Sequence, residues 1–206
     1  MDSKVQKVID DYDARIERET AVMRSLTMEE IEERKNDMLI AIGRQSAEVL
    51  SNLIQGQRAR TIVELGASYG YSTVWFAQAA RATGGRVISF ELDGSKVEYI
   101  RTRLEQAGLA EFVEFQIGDA TKLLGRLEAT IDFALIDLWK DLYIPCFDLL
   151  LPRLANGAFV AADNMLLPPG YRQMGELYRQ HVRANGRFDS VLLPIGSGIE
   201  LSRLRD

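Results

Sequence analysis

The chain has one cysteine, one histidine and few lysines, and each shortage excludes something. Cys146 is the single thiol, so no intramolecular disulfide can form, which favours a reducing compartment. Set between Pro145 and Phe147, it reads as core packing. His181, in YRQHVR, has no ligand partner by spacing and reads as part of a helix surface. No apolar run approaches the roughly 18 residues of a membrane span, and the N-terminal DSKVQKVIDDYDARIERE has no apolar signal region. A cytoplasmic protein with no membrane partner is therefore expected. Long basic blocks are missing as well: 25 Lys and Arg stand against 30 Asp and Glu, a net charge of -5, which argues against a nucleic-acid partner. Repeats and low-complexity segments are absent.

What is present fits one α/β domain with an N-terminal appendage, since 206 residues suffice for a sizeable core. Residues 3–24 predict a charged amphipathic helix with a narrow stripe of Val5, Val8, Ile9, Tyr12 and Ile16. Such a stripe needs a surface to cover it, and a partner subunit is the expected one. Thr27 and Glu30 fit a capping box for a second helix to about residue 35. A third, over 44–54, turns Ala47, Leu50 and Ile54 inward and stops at Gly56.

From Thr61 onward apolar strands alternate with helices, the pattern of a parallel sheet covered on both faces. Strands are predicted at 61–65, 86–91, 112–117, 131–136 and from 157 to the acid at 163. Helices are predicted at 72–82, 94–107, 120–127, 142–154 and 171–185. The closing FDSVLLPIGSGIELSRL reads as a hairpin that adds antiparallel pairing.

The strand ends carry the chemistry. IDFALIDLWKDLY ends its apolar run at Asp137, with Lys140 three residues on, and GAFVAADN ends at Asp163 and Asn164. If these strands are neighbours, their tips lie roughly 5 Å apart, and two carboxylates and an amide oxygen face one point. That all-oxygen set suits a hard cation such as magnesium. Only six lysines occur against nineteen arginines, and lysine alone of the two can give up its proton, so Lys140 is a candidate base. After the first strand, ELGASYGYS places Glu64 at the strand end, Gly66 and Gly70 in the turn and Ser72 at a helix start. Ser68 stands at the second glycine position of the G-x-G-x-x-G pattern, so the loop alone reads equally as a plain tight turn. Glu91, at the tip of the second strand, is placed to accept ribose hydroxyls, and Asp119 follows the third strand. An acidic edge of this kind suits a positively charged nucleoside.

VELGASYGYS, Glu91, Asp119, IDLWKDLY and ADNMLLP, in that order, resemble the class I S-adenosylmethionine-dependent O-methyltransferases of the catechol O-methyltransferase type over residues 36–204. The resemblance implies a Rossmann-like class I methyltransferase fold: a mostly parallel seven-stranded sheet with a C-terminal antiparallel hairpin and helices on both faces, plus N-terminal helices. Residues 1–40 would form a helical extension or lid that crosses to the partner of a homodimer, and 41–206 the methyltransferase domain. Ile42, Glu64, Gly66 and Ser72 would hold the methionine end of S-adenosylmethionine. Glu91 would take the ribose, Asp119, Ala120 and Trp139 the adenine, with Asp137 also at the cofactor. Asp137, Asp163 and Asn164 would bind magnesium or another divalent cation. Lys140 would be the base, and Met38, Ile40, Asn164, Pro168 and Glu200, the last in the GSGIE turn, would meet the substrate beside it. The sequence departs from the pattern at Leu138, where catechol O-methyltransferase has histidine, and in its long charged N-terminal helix.

The expected activity is metal-dependent methyl transfer to one hydroxyl of a small catechol-like phenolic substrate. A methyltransferase of the same fold acting on a hydroxylated transfer-RNA base is the alternative. An NAD-dependent oxidoreductase is disfavoured by Ser68, and a non-catalytic scaffold would have no use for Lys140 beside a metal triad.

Overall fold

Apolar runs too uniform for a half-exposed sheet are satisfied in four of the parallel strands by burial on both faces, while the third, at the sheet edge, is only partly covered. The computed structural model describes residues 2–206, apart from the side chains at positions 28, 32 and 35. Strands β1 (Thr61–Leu65), β2 (Arg86–Glu91), β3 (Val113–Ile117), β4 (Ile131–Ile136), β5 (Leu154–Ala162), β6 (Phe188–Leu193) and β7 (Ile199–Leu204) form one sheet in the order β3-β2-β1-β4-β5-β7-β6. The first five are parallel; β7 runs antiparallel to both β5 and β6. This is the expected Rossmann-like architecture with its closing hairpin.

Side chains alternate along each strand between two cores. Ile62, Phe133 and Leu135 face the layer made by α1 (Ser3–Met23), α3 (Arg44–Gly56), α4 (Tyr71–Thr83) and α5 (Gly94–Ala107). Val63, Leu65, Ala134 and Ile136 face α6 (Ala120–Leu124), α7 (Tyr143–Leu150) and α8 (Arg172–Ala184). Cys146 is buried in that second core, as expected. Among the described residues no helix is long and apolar enough to cross a membrane.

The element ends differ from expectation for local reasons. Helix α6 stops at Leu124, with Gly125 as its C-cap, rather than continuing to 127. Helix α7 stops at Leu150 because Pro152 lies in the 3₁₀ turn Leu151–Arg153. Strand β5 therefore starts at Leu154, and the pairing with β4 shifts between Ile131 and Phe133 to absorb the extra length. The capping box forms ahead of α2 (Met28–Arg34): Thr27 N donates to Glu30 Oε2 at 2.7 Å and Glu30 N to Thr27 Oγ1 at 3.2 Å.

The narrow stripe of the N-terminal helix finds a covering surface within its own chain. Helix α1 packs on α4 and α5 of its own domain. Its stripe is narrow but ends in an aromatic anchor: Tyr12 is fully buried, lies edge-on to Tyr71 and Tyr99, and donates its hydroxyl to Tyr69 O at 2.5 Å. Asp13 fastens the same face, accepting from Arg44 Nη1 at 2.7 Å and from Tyr71 Oη at 2.8 Å. Replacing Tyr12 by Phe should cost about 1 kcal/mol, one hydrogen bond. Replacement by Ala should cost roughly 3–5 kcal/mol, the range for emptying a buried aromatic position. Urea unfolding monitored by circular dichroism measures both.

Candidate active site

Register builds the site. β4 and β5 pair with Ile136 opposite Ala162, so Asp137 and Asp163 leave the sheet side by side. Each is fixed by one more backbone bond of the ladder, Asp137 N to Leu65 O at 2.9 Å and Asp163 N to Ile136 O at 3.2 Å. The next residue, Asn164, takes the left-handed conformation at φ 56°, a turn that asparagine tolerates better than most residues. Its Oδ1 accepts from Lys140 Nζ at 3.1 Å.

Lys140 opens the 3₁₀ turn Lys140–Leu142 and is buried. Its ammonium also donates to Asp163 O at 3.2 Å and to the hydroxyl of Tyr143, which itself donates to Asp163 O at 3.2 Å. The same ammonium lies 3.7 Å from the centroid of the Tyr143 ring. Tyr143 belongs to the IDLWKDLY run yet went unassigned; the three-residue spacing from Lys140, one helical turn, is the signal that could have found it.

Burial dominates the electrostatics. It pushes the Lys140 ammonium down to about 8, against the pull of Asp137 and Asp163, which favour the charged form. Burial raises both carboxyl groups well above the ordinary range, and for Asp163 the like charge of Asp137 adds to it. Asp137 keeps some accessible surface but is densely surrounded by protein. Asp163 Oδ1 is buried with no hydrogen-bond partner, an orphaned acceptor of the kind a cation would satisfy. Among the described residues no three Asp, Glu, His or Cys side chains cluster. The donor set is instead two carboxylates and the Asn164 amide, all oxygen, which fits a hard divalent cation.

The residues expected to hold the cofactor are tied to this cluster by a close approach. Gly66 has φ 93°, and a Cβ there would lie 2.1 Å from the carbonyl oxygen of Asp137, so no other residue fits. Glu64 is fully buried; its Oε2 accepts from Thr73 Oγ1 at 2.7 Å and Ser89 Oγ at 2.6 Å, while Oε1 has no partner. Burial raises its pKa, with hydroxyls including that of Ser72 opposing the rise. Ser72 thus supports Glu64. Glu91 braces the loop, taking Ser68 N at 2.7 Å on Oε2 and the amides of Leu92 and Asp93 on Oε1. Asp119 caps α6 through Thr121 N at 2.9 Å, with Ala120 buried behind it. Exposed apolar side chains line the same sheet edge: Trp139, together with Leu92 and Ile117, which sequence reasoning missed. Each of the missed pair lies within two residues of an expected acid, Glu91 or Asp119, and that adjacency was the available signal.

The expected substrate residues divide. Met38 is buried, as is Ile42 of the expected cofactor set, whereas Ile40 is 49% exposed. Pro168 follows a cis peptide bond and is exposed. Glu200 requires correction: it lies in β7 rather than in the turn, is fully buried, and its carboxylate is already engaged. Oε1 accepts from Arg183 Nη2 at 2.8 Å and Ser190 Oγ at 2.6 Å, and Arg179 Nε lies 3.2 Å from Oε2 as an ionic contact without hydrogen-bond alignment. Two arginines of α8 offset a buried charge that the sequence pattern presented as free for substrate. His181 of α8 is partly exposed and faces α7, its Nε2 2.7 Å from Asp148 Oδ1 and its ring edge-on to Phe147.

Comparison with known proteins places this geometry in context. Residues 13–205 match the family described as O-methyltransferase. Catechol O-methyltransferase of Sus scrofa is 29% identical over 174 residues, covering 80% of this chain and 88% of that protein. Caffeoyl-CoA O-methyltransferase 1 of Nicotiana tabacum is 28% identical over 186 residues, covering 80% and 77% respectively. The O-methyltransferase TomG of Streptomyces achromogenes, solved in complex with SAM, superposes with a TM-score of 0.78 at 24% identity, covering all of this chain and 91% of its own, a likeness of fold.

The orphaned Asp163 oxygen generates a direct expectation. Millimolar magnesium should raise the thermal midpoint of the wild-type protein, since a ligand bound only to the folded state stabilises it. In Asp163→Ala that rise should vanish. Differential scanning fluorimetry with and without the cation measures it.

Proposed function

The chain belongs to the S-adenosylmethionine-dependent O-methyltransferase family, and from that premise we propose that it methylates one hydroxyl of a small phenolic molecule with two adjacent hydroxyls, with the help of a divalent cation. One observation carries the proposal: a buried lysine of lowered pKa held at the tips of β4 and β5 by Asn164 and Asp163, beside two carboxylates. Asp137, Asp163 and Asn164 would hold the cation. When bound, S-adenosylmethionine supplies the methyl group, and the cation supplies Lewis acidity toward adjacent hydroxyl oxygens whose ordinary pKa is near ~10.

The chain's own residues would do the rest. Lys140 Nζ would accept the substrate proton. With a pKa of about 8, roughly a tenth of the lysine is neutral at pH 7. Tyr143 and Asp163 O fix the direction of Nζ, so the proton has one acceptor position rather than several. Glu64 Oε1, buried and unpartnered, supports a role in receiving a cationic donor group at the methionine end. Gly66 lets that end approach the Asp137 backbone closely. Trp139, Leu92 and Ile117 offer apolar surface for the adenine. Alignment of the two reactants is the main contribution and can supply about 7–11 kcal/mol.

Lys140→Arg tests the base, because the charge stays and the removable proton goes. Turnover of catechol should fall roughly 10²-fold or more with cofactor affinity close to normal. In the wild type kcat/KM should rise with pH and level off above about 8, as the folded-state lysine loses its proton. A pH-rate profile of both proteins checks this, and unchanged turnover in the variant would place the base elsewhere.

A further inference from the structure

Arg15, Glu19 and Tyr69 join two segments of the site that lie far apart in the chain. Tyr69 stands in the glycine loop between Ser68 at φ 50° and Gly70 at φ 87°. Its carbonyl is held by Tyr12, and its ring faces the Arg15 guanidinium, whose carbon lies 4.2 Å from the ring centroid. The Tyr69 hydroxyl donates to Asn36 O at 3.3 Å. From Arg15 the contacts continue in the same direction: Nε donates to Glu19 Oε1 at 2.6 Å and Nη2 to Asp37 O at 3.2 Å. Glu19 Oε2 accepts from Leu39 N. Residues 36–39 are thus held at three backbone positions by α1 and the glycine loop. Met38, between those positions, is buried, and Ile40, just beyond them, is exposed.

We propose that Arg15 and Glu19 are positioning residues for methyl transfer, linking the cofactor loop to the acceptor-side segment 36–40 so that a ligand that orders one favours binding at the other. This rests on the function proposed above. A bound cofactor fixes the loop, and with it Tyr69. The ring fixes the guanidinium plane, and Arg15 with Glu19 then holds Asp37 O and Leu39 N in place. Arginine suits the task because its planar fork stacks on a ring and donates in two directions at once, which an ammonium cannot do. Linkage requires the effect to be reciprocal: the acceptor should tighten the cofactor by the same factor.

Isothermal titration with S-adenosylhomocysteine, and with catechol plus magnesium in its absence and at saturation, measures the coupling. In the wild type S-adenosylhomocysteine should raise catechol affinity; in Arg15→Ala that enhancement should shrink about fivefold or more. Arg15→Lys should lose most of it as well. Thermal midpoints should change little, because Val8, Ile9 and Tyr12 still anchor α1. If Arg15→Ala fails to fold, Arg15→Lys and Glu19→Gln decide: lost coupling supports the link, and wild-type coupling overturns it. Hydrogen exchange at the Leu39 amide reads the link without any acceptor. S-adenosylhomocysteine should slow that exchange in the wild type and not in Arg15→Lys, so a protein that binds S-adenosylhomocysteine but not catechol fails the substrate proposal while the link is still decided. Equal protection in both proteins overturns the link, and a protein that does not bind S-adenosylhomocysteine overturns both.

Discussion

The in-register parallel pairing of β4 with β5 is the constraint on which the site depends. It brings Asp137 and Asp163 out of adjacent strand tips, and the low-dielectric surroundings make each charge there costly unless another group answers it. Lys140 answers in part. Its ammonium is buried against Asp163 O, Asn164 Oδ1 and the Tyr143 hydroxyl, yet Asp163 Oδ1 is left without a partner. A cluster with more acceptor capacity than the protein fills is what the proposed cation would answer, and a lysine desolvated beside it suits the proposed role in proton transfer. The close approach of Gly66 to the Asp137 carbonyl joins the glycine loop to the same strand end, so the two reactant sites proposed above would share one support.

Much of the fold was legible because period and punctuation agreed. Continuous apolar runs such as IDFALI, bounded by Asp137 and by helix-forming stretches, admit little besides a parallel strand covered on both faces. Element ends were less legible where proline and glycine acted at close range, as at Pro152 and Gly125. The strand-tip acids were legible for the same reason as the strands. Glu200 was misplaced because sequence shows an acid near a turn but not what faces it across a helix; Arg179 and Arg183, one turn apart on α8, neutralise it. Tyr143 was missed for the opposite reason, since a buried tyrosine in an apolar helix reads as packing until its hydroxyl is seen against Lys140.

The first helix shows how a narrow apolar stripe suffices. Four buried residues supply the area, and aromatic edges and cation–π contacts supply the rest: Tyr12 against Tyr71 and Tyr99, with Arg103 over Tyr12 and Arg15 over Tyr69. Such contacts are worth about 0.5–1.5 kcal/mol each beyond burial, enough in sum to keep a highly charged helix on its own domain. The same contacts set the helix directly on the glycine loop through Tyr69.

Radiolabelled methyl transfer from S-adenosylmethionine to catechol, compared with phenol, before and after chelation of divalent cations, tests the central claim most directly. Two adjacent oxygens facing two carboxylates and an amide predict labelling of catechol far above phenol, lost on chelation and restored by magnesium. Full labelling of catechol in excess chelator, or equal labelling of phenol, would contradict the account.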